Sequence, residues 1–255
     1  MVDLCVVLPA YNESAAIAAS LQRLIAWLEN PGTGRPDWSS WEILVVDDGS
    51  SDGTAAAALE AAAREERVRV IRRDPHEGKG AAVAAGLRAA DAQWLLVTDV
   101  DLSYALEDLR GAVALLASGG GPSVVTGDRR HPSSRMSLDL SALSHVMRRQ
   151  ALSAAFNLLV RLFYGIAWRD TQCGLKAFRR EAAAAIAARV RTKRFLADIE
   201  VFLCAAGLGI SVGSIPVHLT YLSANSTVHA LTQAPSVLAD CLRIKWAQMR
   251  GYYRR

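Results

Sequence analysis

The sequence predicts an α/β fold in which a mainly parallel sheet carries helices on both faces. Three observations lead there. Short apolar runs at Leu4–Leu8, Glu42–Val46, Val68–Ile71 and Trp94–Val97 recur through the first hundred residues, separated by segments of helical length. The second and fourth of these runs are followed by carboxylates, and a polar cluster, Asn12-Glu13-Ser14, lies a few residues after the first. With 51% hydrophobic and 21% charged residues over 255 positions, the chain has enough apolar material for a sizeable core in one large domain.

Taken in order, Leu4–Leu8 is a β-branched-rich strand followed by Pro9-Ala10-Tyr11-Asn12-Glu13-Ser14. Ser14 is expected to cap a helix whose apolar positions are Ile17, Leu21, Leu24, Ile25 and Leu28. A polar loop over Asn30–Ser40 leads to the second strand, Glu42–Val46, which ends in Asp47-Asp48 and then Gly49-Ser50-Ser51-Asp52-Gly53-Thr54. An alanine-rich helix to about Glu66, a strand at Val68–Ile71 and a helix opened by Gly78-Lys79-Gly80 precede the strand Trp94–Val97. In such sheets ligands bind beyond the carboxyl ends of the strands, so the three polar clusters are expected to converge. The glycines fit neither the dinucleotide fingerprint nor a P-loop. Each alone reads as a tight turn rather than a phosphate cradle, although Lys79 at a helix start can face a phosphate.

Asp99-Val100-Asp101 closes the fourth run. Positions i and i+2 of an extended chain point the same way, so both carboxylates can face one point. Two hard oxygen ligands suit Mg²⁺ or Mn²⁺, which commonly bridge to phosphates. The same triplet also occurs in solvated strand-to-loop turns.

Charge is unevenly distributed. Residues 1–127 carry 10 basic and 18 acidic groups, whereas residues 128–255 carry 19 basic and 7 acidic groups. A basic second half calls for an anionic ligand or surface. No nucleic-acid-binding signature accompanies the charge, so no nucleic-acid partner is expected. Cys5, Cys173, Cys204 and Cys241 lack metal-ligand spacing and suit a reducing, cytoplasmic setting. No run reaches 18 uninterrupted apolar residues. Ala151–Trp168 comes nearest and reads as a buried or interfacial helix interrupted by Asn157 and Arg161.

Pro9–Glu13, the Val45–Thr54 run VVDDGSSDGT, Gly78-Lys79-Gly80 and Asp99-Val100-Asp101 occur in an order and spacing that resemble the family 2 inverting glycosyltransferases. The resemblance implies the GT-A type nucleotide-diphospho-sugar transferase fold, a Rossmann-like mainly parallel sheet. It implies that Pro9, Ala10, Tyr11 and Glu13 line a nucleotide pocket, that Asp48 accepts the imide proton of the base, that Lys79 joins the donor site, and that Asp99 and Asp101 hold the cation on the diphosphate.

Beyond a strand at Ser123–Thr126, the run Gly127-Asp128-Arg129-Arg130, the Arg149, Ser153, Asn157 face, Asp170-Thr171-Gln172-Cys173-Gly174-Leu175-Lys176-Ala177-Phe178 and Asp198-Ile199-Glu200 resemble the polyprenyl-phosphate hexosyltransferase branch. The Asp170–Gly174 run and Leu102-Ser103 lean toward its glucosyl side, hence a UDP-glucose donor. That resemblance implies a polyprenyl phosphate acceptor, dolichyl or undecaprenyl, held by Arg129, Arg149 and Ser153. An ion pair of these arginines with Asp128, Asp139 or Asp170 is the structural alternative. Asp198 and Glu200 are expected to orient the sugar or the arginines, or to serve structure alone. If the acceptor were a soluble hydroxyl compound, Asp198 would be the base; a soluble phosphate is the other variant. The catalytic domain is expected over 1–228. A basic amphipathic helix over 229–255 follows, with Leu238, Cys241, Leu242, Trp246 and Met249 on its apolar face; it either packs on the domain or lies on an anionic membrane as a peripheral contact.

Overall fold

A computed structural model describes residues 1–30, 38–137, 156–220 and 234–254 of the chain. Strands β1 (Val2–Ala10), β2 (Trp41–Asp47), β3 (Val68–Arg72) and β4 (Ala92–Val97) alternate with helices α1 (Ile17–Glu29), α2 (Thr54–Arg64) and α3 (Lys79–Ala89). After α4 (Leu106–Ala117) come β5 (Val124–Asp128), β6 (Arg135–Ser137), β7 (Lys176–Arg179), α5 (Arg180–Ala187), α6 (Ala197–Gly207), β8 (Val212–Pro216), β9 (His218–Thr220) and α7 (Ala234–Met249). Seven strands form one sheet in the order β3-β2-β1-β4-β7-β5-β8; β6 and β9 pair separately. β7 is antiparallel to both β4 and β5, and the remaining pairings are parallel.

Strand alternation divides the core in two. Leu4, Val6 and Leu8 of β1 face a layer that includes Ile17, Leu21 and Leu24 of α1 and Leu109 and Val113 of α4. Cys5 and Val7 face the opposite layer, with Leu87 of α3, Ile186 of α5 and Phe202 of α6. The period of two sends successive side chains to opposite faces, which is why both faces need helices. All four cysteines are free thiols.

Several boundaries differ from the sequence expectations. α1 starts at Ile17 with Ala16 at its cap and no side-chain cap hydrogen bond. Ser14 sits before the helix instead, its N–H donated to Asp52 Oδ2 at 3.0 Å, because the loop after β1 is tied to the loop after β2. α2 ends at Arg64 and β5 begins at Val124. The apolar stretch before Trp168 is helical over residues 156–164 and stops at Gly165, whose φ is +70°. Arg149, Ser153 and residues 221–233 lie outside the described residues. No helix among the described residues is long and apolar enough to cross a membrane.

Phe178 of β7 is fully buried and stands opposite Leu95 of β4 and Val124 of β5. Phe178→Ala should therefore cost about 3–5 kcal/mol of stability, read as a lowered urea midpoint with little change in slope.

Candidate active site

The chain runs outward from β1 to β3 and then returns to β4 beside β1, so a crevice opens at the carboxyl ends of these two strands. The loop after β1 is laced to the loop after β2. Asn12 N–H donates to Ser50 Oγ at 2.9 Å, Glu13 N–H to Thr54 Oγ1 at 2.7 Å, and Ser51 N–H to Asn12 Oδ1 at 3.0 Å. These bonds hold Asn12 at φ +55° and leave the Tyr11 ring half-exposed at the crevice mouth. Burial opposes ionisation of Asp52, but hydrogen bonds from Thr54 and Ser14 outweigh it and hold the carboxyl well below the usual aspartate range.

Asp48 is buried and ties in a third loop. It accepts from the N–H of Gly78 at 2.6 Å, the N–H of Glu77 at 3.2 Å and Arg73 Nη1 at 2.8 Å, with His76 Nδ1 also 2.8 Å away. The His76 ring stacks on Tyr11 with centroids 3.8 Å apart. Glu77 in turn pairs with Arg73 and Lys193. A Cβ on Gly80 would stand 2.3 Å from Ala197 Cβ, so only glycine lets the first turn of α3 close on the start of α6. That contact aims Lys79 at the end of β4, where it pairs with Asp99.

The Asp99–Asp101 segment is a tight turn, not the extended chain expected from sequence. Leu102 N–H donates to Asp99 O at 3.1 Å, and Leu102 has φ +46°. The two carboxylates consequently have different partners. Asp101 is exposed and accepts from Ser103 N–H at 3.1 Å and Ser103 Oγ at 2.5 Å. Asp99 lies deeper. Burial works against its charge, but Lys79, Lys176 and Arg129 outweigh this and hold the carboxyl below the usual range. Burial likewise disfavours the Lys79 ammonium, and Asp99 and Asp198 overcome it, keeping Lys79 above the usual lysine range. Burial and then the charges of Asp101, Asp99 and Asp52 push the Glu13 carboxyl up. The charges of Asp99 and Asp101 thus reach Glu13, although among the described residues no three acidic, histidine or cysteine side chains stand close enough to hold a metal ion together.

Across the crevice, Arg129 makes a bidentate ion pair with Asp170, Nε to Oδ2 at 2.7 Å and Nη2 to Oδ1 at 2.8 Å. This is one of the structural alternatives that the sequence left open. Burial opposes the Arg129 charge, but Asp170 holds the guanidinium well above its ordinary range. Asn157 is buried, and its Oδ1 accepts from Thr171 Oγ1 at 3.1 Å, bracing the Asp170 loop. Glu200 has a structural role. It is buried and accepts from the N–H groups of Arg191 and Thr192 and from Tyr253 OH at 2.8, 2.6 and 2.6 Å. Its neighbour Asp198 pairs with Lys176 at 2.9 Å.

Lys176 is the residue that sequence reasoning passed over. Its side chain is 5% exposed, and its ammonium also donates to Cys173 O at 2.6 Å. The signal was a lone cation in the otherwise apolar run Leu175–Phe178. Gly174 belongs with it, because a Cβ there would stand 2.2 Å from Asp99 Oδ2.

Fold and crevice together define a GT-A type nucleotide-diphospho-sugar transferase fold. The profile of the family described as Glycosyl transferase family 2 matches residues 5–186, and the chain belongs to that family. Among curated relatives, a dolichyl-phosphate beta-glucosyltransferase (ALG5C) of Trichomonas vaginalis is 32% identical over 83% of this chain and 62% of its own. The dolichyl-phosphate beta-glucosyltransferase of Drosophila melanogaster is 32% identical over 86% and 67%, respectively. The chain thus spans about two thirds of the length of these relatives. The crystal structure of glucosyl-3-phosphoglycerate synthase from Mycobacterium tuberculosis with Mn²⁺ and UDP-glucose superposes with a TM-score of 0.66 and 18% identity, over 96% of this chain and 79% of that one.

Asp48→Ala should free the loop it anchors. Amide hydrogen exchange at Glu77 and Gly78 should accelerate by about tenfold or more, reflecting the roughly 1–3 kcal/mol of a charged hydrogen-bond acceptor, while exchange in β1 stays slow.

Proposed function

We propose that this chain transfers glucose, or a related hexose, from a UDP-sugar to a polyprenyl phosphate with inversion at the anomeric carbon. The observation that carries the proposal is the crevice at β1 and β4, where a carboxylate pair stands beside three cations. Curated relatives at 32% identity named dolichyl-phosphate beta-glucosyltransferases support the acceptor class and the sugar. In this reading Pro9, Ala10, Tyr11 and Glu13 line the nucleotide pocket. Asp48 meets the base with the acceptor capacity left by its loop contacts, and Lys79 serves the donor phosphates. The hexosyl group is read as glucosyl from Leu102-Ser103 and the Asp170–Gly174 run.

Asp99 and Asp101 would hold Mg²⁺ or Mn²⁺, and their hard oxygen donors suit such a dication. When bound, the cation neutralises charge on the departing nucleoside diphosphate. Lys176, fixed by Asp198 and Cys173 O, supplies a positive charge beside Asp99 with no freedom to move. Arg129, Arg149 and Ser153 take the acceptor phosphate. Arg129 uses its Nη1 edge, because Asp170 occupies Nε and Nη2. A phosphomonoester is largely dianionic near neutral pH, its second pKa being about 6, so it attacks without a general base. The protein's task is alignment.

Two experiments test the reading. Asp101→Asn should remain folded and lose metal-dependent release of UDP, and chelator should abolish wild-type turnover; full activity in excess chelator refutes the cation site. For the acceptor, Arg149→Ala is the informative variant, because Arg129→Ala also strands the buried Asp170 carboxylate at a cost of about 3–5 kcal/mol. Arg149→Ala should raise the KM for undecaprenyl phosphate at least tenfold while leaving UDP affinity within twofold, about the loss of one charge-assisted phosphate contact. If a soluble alcohol is the better acceptor and Asp198→Asn is the crippling change, the lipid-phosphate reading fails.

A further inference from the structure

α7 is apolar on more than the side it packs with. Ile244 is buried, and Val237, Cys241 and Ala247 lie partly buried against the second core layer. An adjoining stripe at i, i+4, i+8 and i+11, made of Leu238, Leu242, Trp246 and Met249, is 53–70% exposed. The sequence placed Cys241 with this stripe; the structure turns it inward. The helical segment 156–164 repeats the arrangement, burying Asn157, Val160 and Tyr164 and exposing Leu158, Leu159, Leu162 and Phe163. Eight of the twelve large exposed hydrophobic residues among the described residues therefore sit on two helices. These helices touch. Tyr164 OH donates to Cys241 O at 2.9 Å, Lys245 Nζ to Phe163 O at 2.6 Å, and Gln248 Nε2 to Tyr164 O at 2.7 Å. A patch of this kind marks an interaction surface.

Its charge selects the partner. Residues 156–168 and 234–254 carry five basic side chains (Arg161, Arg243, Lys245, Arg250, Arg254) and one acidic one (Asp240), which Arg243 already pairs. Beside Trp246, a cleft of about 440 Å³ is lined by Arg189, Arg191, Arg250 and Tyr252. The Arg191 guanidinium lies 3.9 Å over the Tyr252 ring, and that of Arg250 lies 4.1 Å over Trp246. Stacking fixes each guanidinium plane while its N–H edges stay available to phosphate oxygens. A second copy of the chain on this face would oppose basic rim to basic rim, because a two-fold interface brings a patch onto itself.

We propose that the outer faces of α7 and of residues 156–164 form a docking surface for a bilayer containing anionic phospholipid. The apolar stripes enter the headgroup–acyl boundary, and Arg191 and Arg250 receive a headgroup phosphate at the edge. The side chains of this surface are not those placed in the crevice at β1 and β4, and lipid binding there does not depend on which sugar or acceptor that crevice takes.

The test is co-sedimentation of the full chain with vesicles free of any polyprenyl phosphate, so its outcome is independent of glycosyl transfer. Vesicles of phosphatidylcholine with about 30 mol % phosphatidylglycerol should bind about tenfold or more tightly than phosphatidylcholine alone, and salt should erode the difference. Leu242→Ser with Trp246→Ser should abolish binding and preserve UDP affinity, which reports that the variant is folded. Arg191→Gln with Arg250→Gln should bring anionic vesicles close to the neutral level. In the wild-type chain, phospholipids brominated on their acyl chains should quench the exposed Trp246, a readout that needs no variant. Absence of binding to anionic vesicles, equal binding to both vesicles, or unimpaired binding by the Leu242/Trp246 variant overturns the proposal. So does a concentration-dependent dimer in lipid-free solution that the same variant dissolves.

Discussion

The structure turns on the pairing of charge at the end of β4. Asp99, Asp170 and Asp198 are set among Lys79, Lys176 and Arg129, and each cation arrives from a different element: α3, β7 and the loop after β5. A carboxylate drawn away from water is costly unless a partner meets it, and breaking one such pair by removing a single partner costs about 3–5 kcal/mol. The elements that deliver these cations are consequently not free to shift. The close approach at Gly80 and the lack of room at Gly174 are the steric side of the same constraint.

Both halves of the chain contribute to this arrangement. The acidic first half supplies the carboxylates at the mouths of β1, β2 and β4, and the basic second half supplies Arg129 and Lys176 through strands inserted beside them. Within the second half these two cations meet Asp170 and Asp198. Asp48 shows the other use of a buried carboxylate. Three of the four groups within 3.2 Å of its carboxylate come from residues 76–78, so the loop facing Tyr11 and the helix carrying Lys79 are held as one piece. A nucleotide base and its phosphates would be sensed by a single rigid unit.

Much of the sheet was legible in the sequence because periodicity and strand-end polarity report burial directly. The apolar positions Ile17, Leu21, Leu24 and Leu28 all point into the core, and β1 to β4 lie where the short apolar runs predicted them. What failed was local geometry decided by tertiary bonds. Ser14 has the composition of a cap but is diverted to Asp52, and Asp99–Asp101 bends into a turn closed by Leu102 N–H on Asp99 O, with Leu102 buried at positive φ. Glu200, which the sequence left between an orienting and a purely structural role, turns to the backbone of Arg191 and Thr192. Lys176 was hidden for the opposite reason, since a lysine inside an apolar strand carries no motif, and only the topology places it beside Asp99.

The position of β7 has a consequence for biosynthesis. β4 pairs with β1 on one side and with β7 on the other, and β7 lies about eighty residues further along the chain. While the ribosome works through that interval, the first four strands can assemble but expose an unpaired edge flanked by Leu95 and Leu96, which are buried on opposite faces of the finished sheet. An open apolar edge is a template for pairing with another nascent chain. The late strand therefore acts as a keystone: translation must pass Arg179 before the half-built sheet is sealed, and conditions that slow elongation through this interval should favour aggregation of a chain whose finished form is stable.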